Sequence, residues 1–239
     1  MSTDGRTETG DSAVGEFPAF AAGAIVLWVL VEVVLRWELV ALLAGPVGSP
    51  RGADMILVGL GFPLLAGAIA WLGLRRGIEP ADWDYEFSLR SMAAGVGGVV
   101  LFFVGLLAAV LVLAAIRGMP DAGTATPVVE PGAGTWVLAA LLLVNGVVVP
   151  VAEELAWRGV VQTALMDSYG VLAGSTLAAT GFVLKHVVVD GGADPLRLAS
   201  LVILAAIFSA LRVRWGTASS TVAHLGANLL ATGIALSAL

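Results

Sequence analysis

The sequence contains no cysteine, which removes disulfides, thiolate metal sites and a cysteine nucleophile in one step. Charge is also scarce: Asp, Glu, Lys and Arg make up 13% of the 239 residues, about half the share of an ordinary soluble domain. Arg and Lys together number 12 against 18 acids, for a net charge of −6. Lys185 is the single lysine. No basic tract is present, which argues against nucleic acid as a partner. No internal repeat and no phosphate-cradling glycine loop is found, and histidine occurs only at His186 and His224.

What fills the chain instead is hydrocarbon. Hydrophobic residues account for 59% of it and the mean hydropathy is +0.97, outside the soluble range. A bilayer core needs about 20 apolar residues per helix, and the sequence supplies several such runs. They predict helices over roughly 17–36, 52–74, 92–116, 135–166, 169–189, 196–213 and 217–238. The expected fold is therefore all-α, a polytopic transmembrane bundle of about seven helices, in an integral multi-pass protein of the cell membrane.

The polar, acidic stretch at 1–16 reads as a disordered tail. Accessory helices and loops follow over 17–134, and four trailing helices over 135–239. Between these two sets "GMPDAGTATPVVEPGAG", 118–134, has the Gly and Pro content of a linker. "RRGIEPADWDYEFSLRS", 75–91, mixes three arginines and four acids with Trp and Tyr, as a segment at the membrane surface does. The arginines at 75, 76 and 90 and those at 212 and 214 fall on one side of a seven-helix bundle, which the positive-inside rule assigns to the cytoplasm.

An ionisable side chain at mid-bilayer costs about 2.5–3.5 kcal/mol on insertion scales and usually faces a cavity or a partner. The polar residues inside spans are Glu32, Asn145, Glu153, Glu154, Arg158, Gln162, Lys185, His186, His224 and Asn228, mostly in the last four helices. In "VPVAEELAWRGVV" Glu154 and Arg158 stand at i and i+4, within reach of an ion pair. That pair suffices as a lock between two helices, but it leaves Glu153 without a named partner. Pro150, just upstream, removes a backbone hydrogen bond and kinks or restarts the helix. Phe182 precedes His186 by one turn, and Asn228 follows His224 by one turn. Each histidine alone is adequately explained as interhelical hydrogen-bond glue.

Spacing alters that balance. Glu153 and His186 lie 33 residues apart with "DSYG", 167–170, midway between them. An antiparallel hairpin folded there sets both at the same depth. Gly170, Gly174 and Ala178 repeat every four residues, as do Ala223, Ala227 and Ala231, the small-residue pattern of closely packed helices. A carboxylate, two imidazoles and an amide then converge on one cavity.

"EELAWR", "FVLKH" and "HLGAN" resemble the EExxxR, FxxxH and HxxxN motifs of the CAAX protease and bacteriocin-processing (Abi) family, which includes the type II CAAX prenyl endopeptidases. The likeness covers about 135–230, in order and on successive helices. It implies an intramembrane endopeptidase in which Glu153 activates water, His186 helps hold it, and His224 with Asn228 stabilises the oxyanion. Glu154, Arg158 and Phe182 fall at supporting positions. Peptide hydrolysis needs a base within reach of water and donors aimed at the developing oxyanion, which these residue types supply.

The family's usual label is metalloprotease, and Glu153, Glu154, His186 and His224 are the candidate zinc ligands. The sequence lacks HExxH, in which two ligands one turn apart are preorganised with their base, so a metal-free mechanism with no cofactor is the favoured expectation and Zn2+ the alternative. The implied partners are the lipid bilayer and a membrane-anchored protein or peptide, prenylated or not. Two other readings of the buried charge remain at this level: a proton- or cation-coupled transporter, and a catalytically silent immunity or scaffold protein.

Overall fold

The computed structural model describes residues 16–118 and 134–237. The acidic tail up to residue 15 and the linker core at 119–133 lie outside the described residues, as do the last two positions. The described residues form seven long helices and no strand. α1 combines Glu16–Val33, a π-helical turn Val34–Leu39 and Val40–Val47. α2 is Pro50–Leu74, α3 Leu89–Arg117, α4 Thr135–Tyr169, α5 Val171–Val189, α6 Pro195–Trp215 and α7 Thr217–Ser237.

The boundaries follow local chemistry. Ser49 caps α2 by accepting from the Gly52 amide, with Pro50 in the first turn where its missing N–H is harmless. Ser88 and Ser91 close a reciprocal capping box at α3, and Asp194 accepts from the Leu196 and Arg197 amides at α6. The first helix runs on to Val47 rather than ending near residue 36. Its polar residues Glu32 and Arg36 are paired, and Trp37 donates to the Val189 carbonyl at the end of α5 (2.9 Å).

α4 stays continuous through Pro150. The proline cannot donate to the Gly146 carbonyl, and the preceding turn, Val144–Val148, widens into π-helix. A second π-helical stretch, Glu154–Val161, carries the charged motif itself.

Six helices, α1 to α6, are long and apolar enough to cross a membrane, as expected of an integral multi-pass membrane protein. α7 falls short of that measure because Thr217, Ser219, Ser220, Thr221, His224 and Asn228 dilute its hydropathy; most of them are buried in the bundle. α4 and α5 form the expected hairpin. At Gly174 a Cβ would run into the backbone of Leu165 and Met166, so only glycine permits this approach. α3 lies against α6 and α7.

Two apolar cores result. One centres on the edge-to-face rings of Trp28, Phe62, Trp157 and Phe182. The other joins Phe102, Ile207, Phe208, Leu211, Ala223 and Ala227. The polar cluster lies between them.

The 75–91 segment does more than skirt the bundle. The buried Arg212 side chain donates to the Asp82 carbonyl (2.7 Å), Thr163 Oγ1 (3.1 Å), the Arg158 carbonyl (3.2 Å) and Asp84 Oδ2 (3.3 Å). The Thr217 amide donates to the Asp84 carbonyl and Tyr85 shares a hydrogen bond with Thr221. Gly216, at φ 83°, has no space for a Cβ beside Asp84. The α2–α3 loop and the α6–α7 turn thus meet at one end of the bundle.

This contact also sets the depths. Thr163 is level with Arg212, so α4 continues past the ends of α6 and α7. Ten residues separate Glu153 from Thr163, about 15 Å at 1.5 Å per residue, which puts Glu153 level with His224.

Candidate active site

Glu153 ends the α-helical turn Val149–Glu153 and Glu154 opens the π-helical one. Both carboxylates reach the ring of His224 across the α4–α7 contact. His224 Nδ1 donates to Glu154 Oε1 at 3.1 Å, and Nε2 faces Glu153 Oε2 at 3.9 Å. The second distance is too long for a direct hydrogen bond and is a gap one water oxygen can bridge. All three residues are buried, with 2%, 0% and 4% exposure for Glu153, Glu154 and His224.

The other Glu153 oxygen accepts from Lys185 Nζ. Lys185 also donates to Glu32 Oε2 (3.0 Å), which accepts from Trp28 Nε1 as well (2.8 Å). The row continues through Arg36, 3.0 Å from Glu32 and 3.0 Å from Asp54. The partner missing for Glu153 in the sequence is therefore the lysine next to His186. That contact sets Lys185 of α5 beside Glu153 of α4.

Arg158 pairs with Glu154 as its spacing requires, at 3.7 Å, with both side chains fully buried. Its guanidinium lies 4.3 Å from the Phe182 ring centre and 5.5 Å from that of Phe208, a cation–π arrangement worth more when desolvated. Phe182 also meets His186 edge-on at 4.7 Å, and Phe208 stacks on His224 at 4.7 Å. His186 Nδ1 donates to the Phe182 carbonyl (2.9 Å), which in the neutral ring leaves Nε2 as an acceptor.

Asn228 lies one turn beyond His224. Its amide nitrogen donates to the Asn145 carbonyl (2.8 Å), and Asn145 donates to Thr232 (2.8 Å). A cavity of 390 Å³ between α3, α6 and α7 is lined by Asn228 together with Phe102, Ala227 and Arg197. The structure therefore gathers Glu153, Glu154, Arg158, Phe182 and His224 closely, with His186 on the rim of the aromatic group and Asn228 tied to the α4 backbone.

The donor set does not fit zinc in this arrangement. Among the described residues no three His, Asp or Glu side chains gather to hold a metal. His224 Nδ1 and His186 Nδ1 are already donating, and the Lys185 ammonium occupies the cation position against Glu153.

Residues 135–230 match the family described as type II CAAX prenyl endopeptidase Rce1-like. This segment is an Rce1-like CAAX endopeptidase domain. Comparison with curated proteins and with solved structures gives no match.

The Rce1-like domain contains α4 to α6 and most of α7, and with them every motif residue. Its family implies intramembrane proteolysis. Glu32, which reaches Lys185, and the Arg36 and Asp54 that follow it in the row come from outside it. Sequence reasoning lists Lys185 and Glu32 among the buried polar residues without a role, and misses Phe208, Trp28 and Tyr85. A lone lysine inside an apolar helix, directly before a motif histidine, is the signal that was available for the first. Phe208 carries none, because only the α6–α7 packing brings it to the ring.

Proposed function

We propose that this chain is an intramembrane endopeptidase that hydrolyses a peptide bond in membrane-associated, prenylated CAAX-type substrates with water activated by Glu153. The observation that carries this reading is the placement of two buried carboxylates on opposite nitrogens of one imidazole, inside an Rce1-like domain. Water between Glu153 and His224 gives its proton to the Glu153 carboxylate as its oxygen attacks the scissile carbonyl carbon. His186 Nε2 accepts a second hydrogen bond from that water and fixes its orientation.

The carbonyl oxygen takes the negative charge. In this reading His224 carries a proton on both nitrogens, Nδ1–H held by Glu154 and Nε2–H turned to the oxyanion, and it acts as donor together with the second N–H of the Asn228 amide. The tetrahedral intermediate collapses with cleavage of the C–N bond, and Glu153 passes its proton to the leaving amine. One water is consumed, and a carboxylic acid and an amine are formed. The 390 Å³ cavity beside Asn228 offers the substrate a path from the α3 side.

Cleavage of a farnesylated fluorogenic peptide by purified protein in detergent tests the reading. Wild type cleaves it and Glu153→Gln does not, although the variant remains folded by its helical circular dichroism. The alternating charges from Asp54 to Glu153 favour one second reading, a proton-coupled transporter. It requires substrate flux in proteoliposomes and releases no peptide product.

A further inference from the structure

We propose that Arg197, in the wall of the cavity between α3, α6 and α7, binds a carboxylate that ends the substrate chain three residues beyond the scissile bond, and so selects substrates by their free C-terminus. The inference rests on the proteolytic reading above and deepens it, because it gives the leaving peptide a site and a chemistry.

The cavity carries polar groups at two levels on an otherwise apolar wall. Asn228 stands at one level, Arg197 and Ser200 at the other, and Phe102, Phe103, Leu106 and Leu204 supply apolar surface. Its 390 Å³ lies within the range of small-ligand sites. The helix register sets the distance between the two levels. Phe208 of α6 stacks on His224 of α7, so the two antiparallel helices are level there. Asn228 comes four residues later on α7 and Arg197 eleven residues earlier on α6. The difference is seven residues, about 10 Å at 1.5 Å per residue. An extended peptide covers about 10 Å in three residues. A scissile carbonyl held at Asn228 therefore puts the third residue of the leaving peptide beside Arg197.

The guanidinium has an edge free for that residue. Its Nε and Nη2 both donate to one oxygen of Asp190, each at 3.1 Å. Among the described residues this leaves the Nη1–Nη2 edge for a second carboxylate, in the parallel two-bond geometry the two groups share. The Arg197 and Asp190 side chains are 44% and 36% exposed, so an ionised C-terminus keeps part of its hydration there while aliphatic side chains meet the apolar wall. Asp194, the acid in the same wall, commits one oxygen to the Leu196 and Arg197 amides, and Arg117 at the end of α3 shares a smaller cavity with it. An ion pair serving only to tie the end of α5 to α6 would need Arg197 and Asp190. It would not need the arginine in the wall of the cavity that Asn228 also lines.

The test uses the full chain in detergent and a farnesylated peptide with Val-Ile-Met after the modified cysteine, made as the free acid and as the C-terminal amide. Mass spectrometry follows cleavage. Wild type is expected to favour the acid by about tenfold in kcat/KM. Arg197→Met is expected to lose about tenfold on the acid and far less on the amide, so the preference collapses; Arg197→Lys retains part of it. Asp190→Asn, which removes the ion pair but keeps the arginine, is expected to retain the preference. Equilibrium dialysis of labelled Val-Ile-Met reads the same site without turnover, and amidation or Arg197→Met is expected to weaken its binding about tenfold.

Equal cleavage of acid and amide by wild type, or an acid preference undiminished in Arg197→Met, overturns the proposal. Equal losses on both peptides in Arg197→Met and Asp190→Asn leave only a tie between helices and overturn it as well. Cleavage by Glu153→Gln would instead overturn the glutamate mechanism and leave the acid–amide comparison intact. If wild type cleaves neither peptide, the proteolytic reading falls, and tripeptide binding that ignores Arg197→Met removes the carboxylate site with it.

Discussion

Arg212→Met removes the clamp between the α2–α3 loop and the helices that carry the site. The guanidinium donates to two backbone carbonyls, one hydroxyl and one carboxylate, with only 8% of its side chain exposed. The Asp84 partner is 56% exposed, so that ion pair contributes under about 1 kcal/mol. The other three bonds are worth about 1 kcal/mol each, and more where a carbonyl is left buried and unpaired. The loss is thus about 3 kcal/mol, or roughly 6–12 °C in melting temperature for a chain of this size.

Methionine keeps the length of the stem, so the loss reports hydrogen bonds rather than a cavity. Arg212→Lys keeps the charge but not the fork, and falls between the two. Thermal unfolding in detergent measures the drop. Trypsin provides a local check, because Arg75, Arg76 and Arg90 flank the segment and cleavage there accelerates once it is released. A melting temperature within about 2 °C of wild type, with unchanged trypsin resistance, would refute the clamp.

Other substitutions test separate links. Gly174→Val places methyl groups into the Leu165 and Met166 backbone; it is expected to destabilise by about 1–3 kcal/mol or more, visible as loss of the melting transition, while Gly67→Val on an open face has little effect. Burial, with the Glu154 carboxylate adding to it, pushes the Tyr85 phenol up to about 12 despite its bond to Thr221. The folded state therefore holds the phenolic proton more tightly than the unfolded chain: this stability is fully present below pH about 10 and is lost as pH rises through 12. A melting-temperature titration shows the loss, and Tyr85→Phe flattens it. Glu154→Gln is expected to lower kcat about tenfold to a hundredfold without abolishing binding, because the amide still accepts from His224 Nδ1 but no longer pairs with Arg158; an unchanged kcat contradicts its role in orienting the ring.

The helix count, the α4–α5 hairpin and the Glu154–Arg158 pair were legible because each follows from spacing along one helix. Glycine and alanine repeats announced close packing, and Gly174 is where that packing is tightest. The continuation of α1 to Val47 was not legible, since Glu32 and Arg36 look like the end of a span until Lys185 and Asp54 neutralise them from other helices. The same limit hid the partner of Glu153 and the stacking of Phe208 on His224, contacts that join residues 32 and 16 positions apart. The loop at 75–91 has the composition of a surface segment, yet Asp82, Asp84 and Tyr85 bind the ends of α4, α6 and α7. Nothing in its own sequence specifies those acceptors.

Hydrolysis by the buried Glu153 without a metal, as proposed, is tested by cleavage of the farnesylated peptide by purified wild type and Glu153→Gln, each with and without a metal chelator. Product is expected from wild type in the presence of the chelator, and none from Glu153→Gln in either condition. Activity in Glu153→Gln, or reversible loss of wild-type activity on chelation, would contradict it.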